Sequence, residues 1–181
     1  MASYAPQINT FIARIVTIIG GVSGIATKQV HNGDRDLFDP ASWEQHFWDN
    51  TDDHFAGWMV DWRRASNFPP PEGATAQLRM RDHEIIIKGW SQVDDFQTGQ
   101  ANNSAIAWRL LVATVCQTLG EDLWSNTPLS STNCIGGTFP EVQFNELKEV
   151  ILGDDGEQDP TSIKCHYCEI SFIVRERAVW S

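Results

Sequence analysis

Apolar positions recur along this chain with two different periods, and the changes of period mark out the elements. Ile8, Phe11, Ile12, Ile15, Val16 and Ile19 follow the i, i+3, i+4, i+7 spacing of one helix face, and Gly20-Gly21 supplies a stop. Residues 25–33 suit a short strand ending in a turn at Asn32-Gly33. Residues 39–50 suit a short helix, with Pro40 near its first turn and Trp43 and Phe47 four apart. Over residues 55–65 the period becomes two: Trp58, Val60 and Trp62 alternate with Met59, Asp61 and Arg63, as in a half-buried strand. Residues 66–74 are expected to form a loop, because Pro69, Pro70 and Pro71 fit neither a helix interior nor a central strand.

A second strand follows from Leu78, and its centre, Glu84 to Trp90, is apolar and β-branched enough for the interior of a sheet. The period then returns to that of a helix. Trp108, Leu111, Val112, Val115 and Leu119 form a stripe, and Ile106, Leu110 and Ala113 widen it, which predicts a largely buried helix. Asn103 or Ser104 is placed to cap its start and Gly120 to end it. The turn-rich residues 121–138 are expected to be irregular. Residues 142–152 and 163–176 flank an acidic turn with Gly and Pro and predict a β-hairpin, although residues 145–150 also suit a helix. The order gives an α+β fold: a mainly antiparallel β-sheet with an N-terminal helix and a long buried helix packed on it, in one domain spanning residues 1–181.

Composition changes this picture in two ways. Eight Trp and nine Phe are many for 181 residues, so some are expected in an interface, where aromatics are enriched. A formal net charge of −11 argues against binding nucleic acid through its phosphates, which needs clustered Lys and Arg. The first apolar run is interrupted by Arg14 and is too short to span a bilayer, so no signal peptide or membrane anchor is expected there. Four cysteines without such a leader are expected to be reduced thiols.

Candidate chemistry centres on Cys165-His166-Tyr167-Cys168, which has metal-ligand letters at metal-ligand spacing. A zinc site needs four ligands, and Cys116 and Cys134 are isolated. A redox CxxC sits at a helix N-terminus, whereas this one lies in a strand pattern. Strand side chains alternate faces, so positions three apart point to opposite sides. Cys168 then shares a face with Ile170, Phe172 and Val174, and Cys165 falls with Tyr167, Glu169, Ser171 and Ile173. The five histidines (His31, His46, His54, His83, His166) form no HExxH. The glycines of residues 19–24 follow a helix rather than a strand and match neither a phosphate-binding loop nor a nucleophile elbow. Asp52-Asp53 and Asp94-Asp95 read as turn residues before they read as a Mg²⁺ site. No catalytic residue, metal ligand or cofactor is expected.

The stretch RMRDHEIIIKGWSQVDDFQTGQANNSAIAWRLLVATVCQTLGEDL resembles a pattern in the tail terminator (tail-completion) proteins of long-tailed bacteriophages. In them a strand ending in GW is followed by a DD bend, a Ser-capped helix and an acidic stop. KCHYCEISFIVRE is similar to the closing strand of that family. The resemblance implies a structural virion protein, located in the tail or neck and assembled in the host cytoplasm. It implies a homo-oligomer, usually a hexameric ring, that caps the tail tube, ends its polymerisation and offers a surface to a head-connector or neck protein. DNA would pass through the ring without specific binding, no membrane would be involved, and net acidity suits such a lumen. Another neck component, a head-closure or stopper protein, is the alternative; a small metal-binding or enzymatic domain using Cys165 and Cys168 is a more remote one. Interface candidates are the segments expected to be exposed: Trp43, Phe47 and Trp48, then Phe68 and Glu72 in the proline loop, and Asp154 and Asp155 in the hairpin turn.

Overall fold

The computed structural model describes residues 7–33, 45–49, 54–68, 78–93, 103–152 and 161–179. Its elements are α1 (Ile8–Gly20), β1 (Val30–Asn32), β2 (Trp48–Asp49), β3 (His54–Phe68), β4 (Leu78–Gln92), α2 (Asn103–Leu123), β5 (Cys134–Gly137), β6 (Glu141–Leu152) and β7 (Thr161–Val179). The fold is α+β, built on a seven-stranded mixed sheet of order β1-β3-β4-β7-β5, with β2 on β3 and β6 on β7. Among the described residues, the β1–β3 pairing is parallel and the other pairings are antiparallel.

Three long strands form the body of the sheet. β4 lies between β3 and β7, in continuous register with β7 from Leu78↔Val179 to Gln92↔Cys165. This central place explains the apolar run of Ile85, Ile86 and Ile87, since a strand paired on both sides and covered by helices buries most of what it carries. β6 and β7 form the C-terminal hairpin, with a register shift between Asn145 and Lys148.

Register assigns the side chains to two faces. Trp58 and Val60 of β3, Ile85 and Ile87 of β4, and Cys168, Ile170, Phe172 and Val174 of β7 share the face that α1 and α2 cover. α1 contributes Ile8, Phe11, Ile15 and Ile19 to this core, and α2 contributes Trp108, Val112, Val115 and Leu119. Gly89 is required at its centre: a Cβ there would lie 2.8 Å from the Trp58 ring and 3.0 Å from that of Trp108. The two indoles therefore stack 5.3 Å apart over bare backbone. A smaller core on the opposite face holds Phe47, Phe55, Trp90, Val150, Cys165 and Tyr167.

Several expectations need correction. Residues 25–33 hold a 3-10 turn, Thr27–Gln29, and only three strand residues. β3 runs on to Phe68, so Ser66, Asn67 and Phe68 belong to a strand rather than a loop; Asn67 and Phe68 pair with Arg81 and Met80. The rest of the expected loop, residues 69–74, lies outside the described residues. Residues 121–138 include the last turn of α2, a 3-10 turn at Pro128–Ser130 and strand β5. α2 is not buried all round: Ile106 and Leu110 are 56% and 64% exposed, and Ala113 is exposed as well. The helix already begins at Asn103, and the Ser104 hydroxyl lies 2.9 Å from His166 Nε2.

Candidate functional site

The thiols are the strongest chemical signal in the sequence. Cys168 and Cys165 lie in the two separate cores on opposite faces of the sheet, as strand parity requires. Both are fully buried, and Cys116 and Cys134 are buried too. Burial pushes the Cys116 thiol up to about 11 and that of Cys165 to about 12, and raises Cys134 and Cys168 as well. A thiol held protonated in a dry core is a poor nucleophile and a poor metal ligand. Cys165 and Cys168 cannot together hold one ion.

Folded protein at neutral pH should show no rapid reaction of its thiols with a disulfide reagent, while denatured protein titrates all four. Because the folded thiol pKa is raised, the associated stability is complete below the unfolded value near 9, and for Cys165 it is lost between there and about 12. Fast labelling of Cys165 or Cys168 at neutral pH, or stoichiometric zinc that is lost in Cys165→Ser and Cys168→Ser, would contradict this placement.

The histidines are dispersed. His54 Nε2 lies 3.3 Å from Ser91 Oγ, His166 contacts Ser104, and His31 stacks edge-on to His46 at 5.0 Å. His83 is the chemically unusual one. Its Nε2 sits 2.8 Å from Glu176 Oε2, and both side chains are fully buried. Phe11 meets the His83 ring edge-on at 6.0 Å, and Trp62 lies 6.1 Å away. Its place on the helix-covered face, sealed by these aromatics, makes the pair a polar tie between β4 and β7. A second tie joins the two helices: Asp122 of α2 accepts from Arg14 Nη2 of α1 at 3.0 Å and from the Leu129 N–H at 2.7 Å. The latter bond holds Leu129 and Ser130 at positive φ, 49° and 53°, so that the Leu129 side chain enters the core. Among the described residues, no group of three or more His, Cys, Asp and Glu side chains is placed to hold a metal.

The sheet face away from the helices is a lattice of ion pairs beyond its small core. Lys88 Nζ donates to Asp61 at 2.9 Å, Arg64 pairs with Glu84, and Arg175 grips Asp82 with two bonds of 2.7 and 2.9 Å. The hydrogen bonds to Asp82 raise the Arg175 pKa.

The interface candidates fall out differently. Phe47 is a correction: it is 0% exposed, with its ring seated where a Gly57 Cβ would come within 2.3 Å, and it packs against Phe55 and Trp90. Trp48 is half-buried at the start of β2, against the same small core. Phe68 ends β3, and its side chain lies outside the described residues, as do Trp43, Glu72, Asp154 and Asp155 entirely.

Ile106, Leu110 and Ala113, expected to widen the buried stripe, lie instead on the outside of α2. Ile106, Leu110, Ala113, Gln117, Gly120 and Trp124 repeat with spacings of four and three, as the seam positions of a coiled coil do. All but Gly120 are exposed, and Trp124 is 72% exposed. At Gly120 the stripe is completed by Phe139, whose ring lies 2.6 Å from where a Cβ would stand. Phe144 of β6, paired with Cys168, stands on the helix-covered face of the sheet but is about half exposed. The spacing of this second stripe is present in the sequence. A scan against protein-family models gives no match for this sequence, and a search among curated proteins finds no relative.

Proposed function

We propose that the chain is a structural virion protein of the tail terminator type, which forms a ring on the end of a phage tail tube, ends its polymerisation and offers the joining surface for the head or neck. The observation that carries this reading is the outward apolar stripe of α2, continued by Phe139 and Trp124, on a chain whose four cysteines are buried. Monomeric proteins rarely leave such a surface uncovered, and a chain that places its unsatisfied chemistry in surface rather than in a cleft is built to assemble.

Two further points support it. The stretches that carry the family resemblance are β4 with α2, and β7; β4 and β7 are paired neighbours and share one core with the helix. In this reading the N-terminal helix and the long helix packed on the sheet are the two-layer body of the ring subunit. The net charge of −11 also suits a passage for DNA that must not retain it. A different neck component would use the same kind of surface. The CxxC reading is disfavoured by the separation of Cys165 from Cys168 on opposite faces.

The test is a capping assay. Purified chain added to its polymerising tail-tube subunit should shorten the tubes in proportion to its concentration and remain at one tube end. Tubes of unchanged length, with no chain bound at an end, would remove the terminator assignment.

A further inference from the structure

Ile12 and Val16 belong to the apolar side of α1 by their spacing, yet both are only half-buried, while Ile8, Phe11, Ile15 and Ile19 are sealed against the sheet. They border a groove of about 490 Å³, lined by Asn9, Ile12, Ala13 and Val16 of α1 and by Val30, His31 and Asn32 of β1, with no residue of β3. The groove therefore follows the side of β1 that faces away from β3. Among the described residues, β1 pairs with β3 alone. The Gly33 N–H donates to the Val60 carbonyl at 2.7 Å. Backbone groups alternate sides along a ladder, so His31 and Gly33 turn theirs to β3, and Val30 and Asn32 turn theirs outward. A second hollow of about 380 Å³ shares Asn9, Ile12 and Asn32 with the groove and continues it past Gly33 along residues 60–63 of β3.

We infer that the α1/β1 groove is a peptide-binding site, which adds an extended segment of another protein to β1 as a further strand. The site does not depend on the terminator reading. Outward backbone groups at a strand edge are matched by the backbone of an added strand. Ile12, Val16 and Val30 form a wall that takes every second side chain of such a strand, so the segment carries aliphatic residues two apart. The lining holds no Asp, Glu, Lys or Arg, and residues 7–33 contain none of the chain's 24 acidic residues. A net charge of −11 repels a second copy and draws a cationic segment to this uncharged opening, so Lys or Arg suits the alternate, outward positions. A strand of about five residues spans β1, and the volume falls in the range of roughly 300–1,000 Å³ usual for ligand pockets.

The test uses the full chain at physiological ionic strength and the acetylated, amidated peptide Lys-Val-Lys-Val-Lys. Titration should give a one-to-one complex, and hydrogen exchange should slow at the Val30 and Asn32 amides. Backbone N-methylation of the peptide at alternate residues, made in both phases, should weaken binding by at least about 10-fold in the phase that faces β1. Ala13→Arg, at an exposed position of the lining, should weaken binding by at least about 10-fold, and Thr10→Arg, exposed on α1 outside the lining, should leave it unchanged. Both variants should melt like wild type, since both positions face solvent. No binding up to millimolar peptide, equal affinity for the parent and both methylated peptides, or undiminished binding by Ala13→Arg would each overturn the inference. So would Val30 and Asn32 amides that become protected when the chain alone is concentrated, which would give the groove to a second copy.

Discussion

Phe47→Ala is expected to lower the stability of the chain by about 3–5 kcal/mol without creating or removing an interface, the cost of emptying an aromatic site in a packed core. Phe47 is the plug of the small core: its ring meets Phe55 at 6.0 Å and Trp90 at 6.1 Å, and it lies edge-on to His31 at 5.3 Å. The bare backbone of Gly57 is the floor of its seat, so a smaller side chain leaves a void that the strands cannot close. Trp124→Ala is the matched control. With that indole 72% exposed, its removal should change stability by no more than about 0.5 kcal/mol. Chemical denaturation of the two variants checks the pair; a Phe47→Ala chain as stable as wild type would mean that the small core does not hold segment 45–49 to the sheet.

The second large effect is expected at His83. Removing its ring deletes one hydrogen bond to the fully buried Glu176 carboxylate and opens a cavity beside Phe11. Breaking a buried ionic or charge-assisted pair from one side typically costs about 3–5 kcal/mol, because the remaining group stays desolvated. His83→Ala should therefore melt far below wild type. His83→Phe keeps the volume and should recover the packing part of the loss but not the polar part. If both variants melt like wild type, the β4–β7 polar tie contributes nothing to the fold.

Both predictions concern residues that the sequence describes unequally. The separation of Cys165 from Cys168 follows from strand alternation alone, because parity is fixed by the backbone and needs no knowledge of neighbours. The β6–β7 hairpin is legible for the same reason: two β-prone runs flank a turn. The i, i+3, i+4 spacing that selects Ile8, Phe11, Ile15 and Ile19 is likewise local, and those side chains are buried in α1; Ile18, outside the expected face, is buried too, while Ile12 and Val16 are only half-buried.

What was not legible depends on partners distant in sequence. Phe47 looks like an exposed aromatic until Gly57 and Trp90 are placed beside it. Ile106 and Leu110 look like core by their spacing, yet they stand on the side of α2 that faces away from the buried stripe of Trp108, Val112, Val115 and Leu119. The extension of β3 through Phe68 depends on Met80 and Arg81 opposite it, not on its own composition. His83 carries no motif, and its pairing with a glutamate 93 positions away is set by the register of β4 against β7. The outward stripe of α2 is the exception. Its spacing is written in the sequence, and a two-sided apolar helix is itself a sign that something packs on both sides.

The central claim is that this chain acts through surfaces that end a tube and join it to a head. Electron microscopy of particles assembled without this gene product tests it most directly. The account predicts tails of uncontrolled length, or tails that fail to join heads. Tails of normal length, joined to heads in normal numbers, would contradict it.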